Sequence, residues 1–152
     1  MLSDRANARL SMSMPAGLLR AAGKLNVPIY RVTRGRLMGK VGRAPVLLLT
    51  STGRRTGQPR TAPVLYLADG ERVVVIGSNA GNAHAPAWSH NLKANPDAEI
   101  EIRAERRPVR ARVTEGDERT ELWRKMNAQY GGFEDYDHRT SREIAVFVLD
   151  PR

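Results

Sequence analysis

Between positions 50 and 61 the chain reads Thr-Ser-Thr-Gly-Arg-Arg-Thr-Gly-Gln-Pro-Arg-Thr. Five hydroxyls and three arginines surround two glycines there, with no carboxylate among them. A strand ending in such a turn presents backbone N–H groups, hydroxyls and guanidinium forks together, the donor set that holds a phosphate or a cluster of carboxylates. A solvated basic hairpin has the same composition, and the residues leave both readings open. The Walker spacing Gly-x-x-x-x-Gly-Lys-Ser/Thr is absent, which separates this turn from a nucleotide P-loop. A second polar stretch, 77–91, begins with Gly77, Ser78 and Asn79 and leads through Pro86 and Trp88 into a helix. The first N–H groups of that helix can face an anion; a plain strand-to-helix connection with Trp88 as a core anchor is the simpler account. Tyr130, Phe133 and Tyr136 recur every three residues, so a helical turn would share one face among them. They read either as core or as an aromatic lip over a pocket, the neighbouring Gly131, Gly132, Glu134 and Asp135 being too polar for deep core.

Other chemistries have no residues to perform them. His84, His90 and His138 lack metal-ligand spacing, and neither a Gly-x-Ser-x-Gly elbow nor a Gly-x-Gly-x-x-Gly fingerprint occurs. The absence of cysteine removes disulfides, thiolate metal sites and cysteine nucleophiles, and it suits a reducing cytoplasm.

Six strands are expected to position these segments. Residues 45–51, 60–68 and 72–78 form apolar runs linked by the glycine turn and by Asp69-Gly70, a strong hairpin signal. Residues 98–103 and 108–114 alternate around a charged turn at 104–107, and 143–149 closes the set. Helices are expected over 2–24 (divided near Pro15), 85–94 and 117–130, while 31–43 is basic, glycine-rich and without period, a loop or arm. Sequential hairpins with few helices between them predict an α+β protein, an antiparallel sheet or barrel with packed helices rather than a doubly wound sheet. At 152 residues, 41% hydrophobic and 27% charged, the chain has the balance of one soluble globular unit. A basic helix and arm over 1–43 precede a barrel domain over 44–152. No apolar run spans a bilayer, and the N-terminal stretch lacks the long apolar core of a secretory signal.

The net charge of +9 is unevenly distributed. Residues 1–43 carry nine basic groups and one acid, 44–68 carry three and none, and 69–152 carry thirteen and fifteen. The positive excess belongs to the first 68 residues, so the partner sought is anionic. Nucleic acid is disfavoured: no recognised binding motif is present and only 5% of residues are aromatic.

The stretch from Leu47 to Gly81, followed by Pro86 to Ile102, resembles the deazaflavin-dependent nitroreductase family, oxidoreductases using coenzyme F-420 that abound in Actinobacteria. Two segments carry the resemblance: the Thr-Gly-Arg-Arg-Thr-Gly-Gln-Pro-Arg turn that ends at Arg60, and the Pro-x-Trp-x-x-Asn-Leu-Lys-Ala-Asn-Pro run starting at Pro86. It extends from about residue 27 to the C-terminus. The resemblance implies a six-stranded antiparallel split β-barrel related to flavin-nucleotide-binding oxidases, with an N-terminal helix. It implies that Arg54, Arg55, Thr56 and Arg60 hold the cofactor's phosphate. It also implies that Thr61, Ala62, Pro63, Val64 and Leu65 line the deazaflavin ring, together with Ile76, Gly77, Ser78 and Asn79 and with Ala87, Trp88, Ser89, His90 and Asn91. The cofactor is a polyanion, with a phosphodiester and a glutamate tail, which accounts for the charge map.

The reaction implied is hydride transfer from the reduced deazaflavin to an electron-poor acceptor: a quinone, an activated alkene or enone, or a nitroaromatic compound. Ser78, Tyr130 and Tyr136 are the residues expected over the ring, orienting the acceptor or relaying a proton. Phe133 lacks the hydroxyl some relatives carry there, which bears on nitroreduction. A non-catalytic carrier of the deazaflavin or of flavin mononucleotide is the alternative. Residues 1–25 could in addition touch an anionic membrane surface; contact with the glutamate tail or with the barrel is preferred.

Overall fold

An apolar run too short for a helix must have both faces covered if it is a strand. The strand β2 (Ala44–Thr52) meets that condition. In the computed structural model, which describes residues 27–35, 40–41, 44–77, 84–129 and 143–152, Leu47 and Leu49 join one buried cluster while Val46 and Leu48 join another. The partners of β2 are β1 (Lys40–Val41), β3 (Pro59–Asp69) and β5 (Asp97–Ile102). The remaining strands are β4 (Arg72–Ile76), β6 (Glu105–Val113) and β7 (Val146–Pro151). All pairings are antiparallel, in the order β2-β3-β4-β7-β6-β5. The β2–β5 ladder, through Leu48↔Glu101, Leu49↔Ile100 and Thr50↔Glu99, closes these six strands into a barrel and removes their free edges.

Alternation along each strand builds the interior. Leu47, Val64, Val75, Ile100, Val109, Ala111, Phe147 and Leu149 meet inside, and helix α2 (Ala87–Ala94) plugs one end with Trp88 and Leu92. Trp88 meets Phe147 in a tilted ring pair, centroids 5.7 Å apart at 59°. On the outer face, helix α3 (Gly116–Gln129) lays Leu122 and Met126 over Val74, Ile76, Val146 and Val148. The short helix α1, 27–32, sets Tyr30 against Val46 and Leu48. The Tyr30 hydroxyl donates to Glu101 O at 3.3 Å and accepts from Arg103 N–H at 2.8 Å; burial pushes this phenol's pKa up.

The expected antiparallel barrel with packed helices is what forms, but several boundaries move. The loop expected over 31–43 is interrupted by the end of α1 and by β1. Neither piece is long enough to impose a period on the sequence. The charged turn expected at 104–107 contracts to Arg103 and Ala104, since Ile102 pairs Glu105. Arg103 adopts φ 58°, a left-handed conformation usually signalled by glycine or asparagine. Strand β4 stops at Ile76, and β7 runs Val146–Pro151 rather than 143–149. Its start is set by Ile76↔Val146 and its end by Val109↔Pro151. The helix expected over 2–24 lies outside the described residues.

Arg112 on β6 ties the base of α3 to the barrel. It donates to Glu118 at 2.6 and 3.1 Å and to Asp150 at 3.3 Å. The Arg112 hydrogen bond holds the Glu118 carboxyl below the usual glutamate range. A carboxyl depressed in the folded state contributes stability above its unfolded pKa and loses it as pH falls through the folded one. Arg112→Leu is therefore expected to lower Tm modestly at pH 7 and to flatten the decline of Tm with acidification below about pH 4.3, the ordinary glutamate value. A thermal melt series from pH 7 to 3 on both proteins checks this; parallel curves would remove the pair from the acid response.

Candidate functional site

The β2–β3 hairpin carries the basic segment at the end of the barrel plugged by α2. Its six-residue connection is closed by Gly53 N–H on Gln58 O and Gly57 N–H on Gly53 O, both 2.8 Å, and Gln58 N–H bonds Thr56 Oγ1 at 3.2 Å. A side chain at Gly53 would bring its Cβ within 2.7 Å of Thr56 Oγ1 and 3.2 Å of Gln58 O, so the turn closes this tightly only around glycine. Gly57 supplies φ 69°. Arg54 N–H is taken by Asn91 Oδ1 of α2 at 3.0 Å. The next two backbone N–H groups, of Arg55 and Thr56, meet no acceptor among the described residues. Arg54, Arg55 and Arg60 are exposed, and among the described residues none has an ion-pair partner. Two successive N–H donors without an acceptor among the described residues, beside three exposed guanidiniums, make a donor set that could take an anion.

The pleat of β3 divides the expected ring-lining run. Thr61, Pro63 and Leu65 stand opposite Thr50, Leu48 and Val46 on the outer face, where the Thr50 and Thr61 hydroxyls bond at 2.8 Å. Ala62 and Val64 turn inward and join the barrel interior. The outer strip is half-buried, and Leu65 is where the packing under α1 meets that under α3. Ile76 lies buried beneath α3. Gly77 donates its N–H to Ala145 O at 2.9 Å, and a Cβ there would lie 3.2 Å from Ser89 Oγ.

Helix α2 faces two ways. Trp88 is buried in the interior and Ala87 is exposed. Asn91, 4% exposed, reaches the basic turn on one flank. On the opposite flank, Ser89 and Lys93, one helical turn apart, line a cleft of about 260 Å³ with His84, His90 and Glu143. Ser89 Oγ is buried there without a hydrogen-bond partner among the described residues. Neither Lys93 nor Glu143 is singled out from the sequence, and His84 is named there only as a histidine without metal-ligand spacing. The four-residue step from Ser89 to Lys93 was a usable signal, whereas the approach of Glu143 was not. Ser78, Asn79, Tyr130 and Tyr136 lie outside the described residues. Their flanks are anchored: Gln129 Nε2 donates to Tyr66 O at 2.8 Å, and Arg119 donates to Ile144 O at 2.7 Å. Among the described residues, no group of His, Asp and Glu could hold a metal ion.

The family model of the F-420H(2)-dependent quinone reductases matches this chain over residues 22–151. The chain belongs to this family. A quinone reductase of this description from Mycobacterium tuberculosis is 39% identical over 133 residues, covering 85% of this chain and 89% of that protein. A solved F-420-H2-dependent reductase superposes with TM-score 0.65 at 30% identity, covering 70% of this chain and 94% of that one. A solved domain-swapped dimer gives TM-score 0.66 at 27% identity, covering 90% and 100%. As a family member the protein is an F-420-dependent oxidoreductase, with coenzyme F-420 as its cofactor. The chemistry of the turn fits that group: three exposed guanidiniums and two N–H donors without an acceptor among the described residues are a donor set that could hold a phosphodiester. No described helix is long and apolar enough to cross a membrane.

Proposed function

We propose that this quinone reductase family member transfers a hydride from reduced F-420 to a quinone, with enones and nitroaromatics as weaker acceptors. The observation that carries the reading is the uncompensated turn at 54–60 next to the half-buried Thr61, Pro63 and Leu65 strip. Reduced deazaflavin, when bound, supplies the hydride, and the chain supplies position and charge. Arg54, Arg55 and Arg60, with the N–H groups of Arg55 and Thr56, hold the phosphate. The outer β3 strip and the neighbourhood of Gly77 exclude water from one side of the ring. Ala62, Val64 and Trp88 contribute through backbone and packing, since their side chains are committed to the interior. Ser78, Tyr130 and Tyr136 orient the acceptor and deliver its proton. The anchoring of Gln129 beside Tyr66 supports this assignment, because it starts the aromatic segment next to the β3 strip. The basic residues of 1–25 are assigned to the glutamate tail or the barrel rather than to a membrane surface, and the enzyme works in the cytoplasm.

The test is an acceptor screen that follows absorbance of reduced F-420 with a quinone, an enone and a nitroaromatic compound. Turnover is expected with the quinone first and not with NADPH as donor; tight binding without turnover of any acceptor would favour the carrier. Tyr136→Phe should leave Tm and cofactor Kd unchanged and lower quinone turnover. If that tyrosine is core instead, Tm falls for a loss of about 1 kcal/mol while turnover per folded molecule stays constant.

A further inference from the structure

We infer that Asn91 is a positioning residue, which shapes the anion receptor without touching the anion; the inference rests on the reading of the basic turn above. Both ends of its amide are in use. Oδ1 accepts from Arg54 N–H at 3.0 Å, and Nδ2 donates to Ser51 Oγ at 3.2 Å. A backbone N–H can only donate, so this orientation of the amide is unambiguous. Asn91 and Ser51 are 4% and 2% exposed, which leaves the amide no face for a ligand. The backbone around the contact is equally committed: Asn91 O accepts from Asn95 N–H at 2.7 Å, and Gly53 N–H bonds Gln58 O at 2.8 Å.

The consequence lies in the turn. By taking Arg54 N–H, Asn91 fixes the Gly53–Arg54 peptide, and Arg55 and Thr56 N–H are the donors left over. The bond joins residues 37 apart, so the receptor takes its shape from the helix that plugs the barrel as well as from its own hairpin. Residue type matters as much as position. An aspartate would accept from Arg54 equally well, and the Ser51 hydroxyl could reverse to donate to it. That carboxylate would lie directly behind the receptor and oppose the bound anion. Asparagine supplies the acceptor without the charge.

The experiment combines amide hydrogen exchange at Arg54, which needs no cofactor, with F-420 Kd by fluorescence titration on wild type, Asn91→Ala, Asn91→Asp and Arg60→Ala. Asn91→Ala should lose protection at the Arg54 amide and weaken F-420 about tenfold or more, the loss of a hydrogen bond organising a charged site. Asn91→Asp should regain the protection and still bind about tenfold more weakly, a separation that loss of folding cannot produce. It carries the test alone if the alanine variant does not fold. An Asn91→Asp affinity within twofold of wild type overturns the inference, as does an unprotected Arg54 amide in the wild-type protein. If Arg60→Ala also leaves Kd unchanged, the turn itself is misassigned and the Asn91 role falls with it. A shift for Arg60→Ala alone overturns only the role of Asn91.

Discussion

Arg60→Ala is expected to loosen F-420 by about 1.5–3 kcal/mol, roughly tenfold to a hundredfold in Kd, while leaving the fold intact. Arg60, the second residue of β3, stands opposite Ser51, and its Cγ lies 3.7 Å from where a Gly53 Cβ would stand. Its side chain therefore starts beside the turn whose Arg55 and Thr56 N–H groups meet no acceptor among the described residues. Its side chain is exposed and has no carboxylate partner among the described residues, so removing it breaks no structural ion pair. The deficit should shrink as salt is raised, because the contact is between accessible charges. Titrations at low and physiological ionic strength beside a thermal melt provide the check. A Kd that does not move would take Arg60 out of the site, and a lowered Tm would assign it to the hairpin instead.

Trp88→Ala is expected to cost about 3–5 kcal/mol of folding stability, the range for truncating a large buried aromatic side chain. The ring fills the plugged end of the barrel against Phe147 and Leu92. The helix that carries it also delivers Asn91 to the basic turn. A void there removes dispersion contacts from several strands at once, since the barrel is too closed to collapse onto it. Trp88→Phe should recover much of the loss by keeping an aromatic face toward Phe147. Denaturant titrations are the measurement, with a lower midpoint at unchanged slope. If Trp88 instead lines the deazaflavin ring with its side chain, the midpoint stays and only F-420 affinity falls.

The two predictions separate residues that the sequence presents side by side. Trp88 and Asn91 belong to one run on one helix, as Thr61 and Ala62 belong to one run on one strand. From the sequence all four were expected to meet the cofactor. A pleat of period two sends Ala62 and Val64 into the barrel and leaves Thr61 and Pro63 outside. A helical step of 100° commits Trp88 to the core and Asn91 to the turn. These assignments depend on which face is covered, and that depends on the partners.

The sequence by itself determined the strands, because Val46 to Leu49 and Val73 to Ile76 are too apolar and too short to be anything but buried strand. It determined that the positive excess sits in the first 68 residues, and through two specific segments it pointed to the family. Only the tertiary structure decided that β2 pairs with β5 as well as β3 and so closes the barrel. It alone decided that Asn91 meets Arg54 across 37 residues, and that Arg103 turns the β5–β6 hairpin without a glycine. The physical reason is the range of the interactions. Burial periodicity and charge are carried by neighbours in the chain and can be read locally. Closure, the Asn91 contact and the Arg103 conformation, held by the Tyr30 hydroxyl from 73 residues away, arise only once distant segments are packed together.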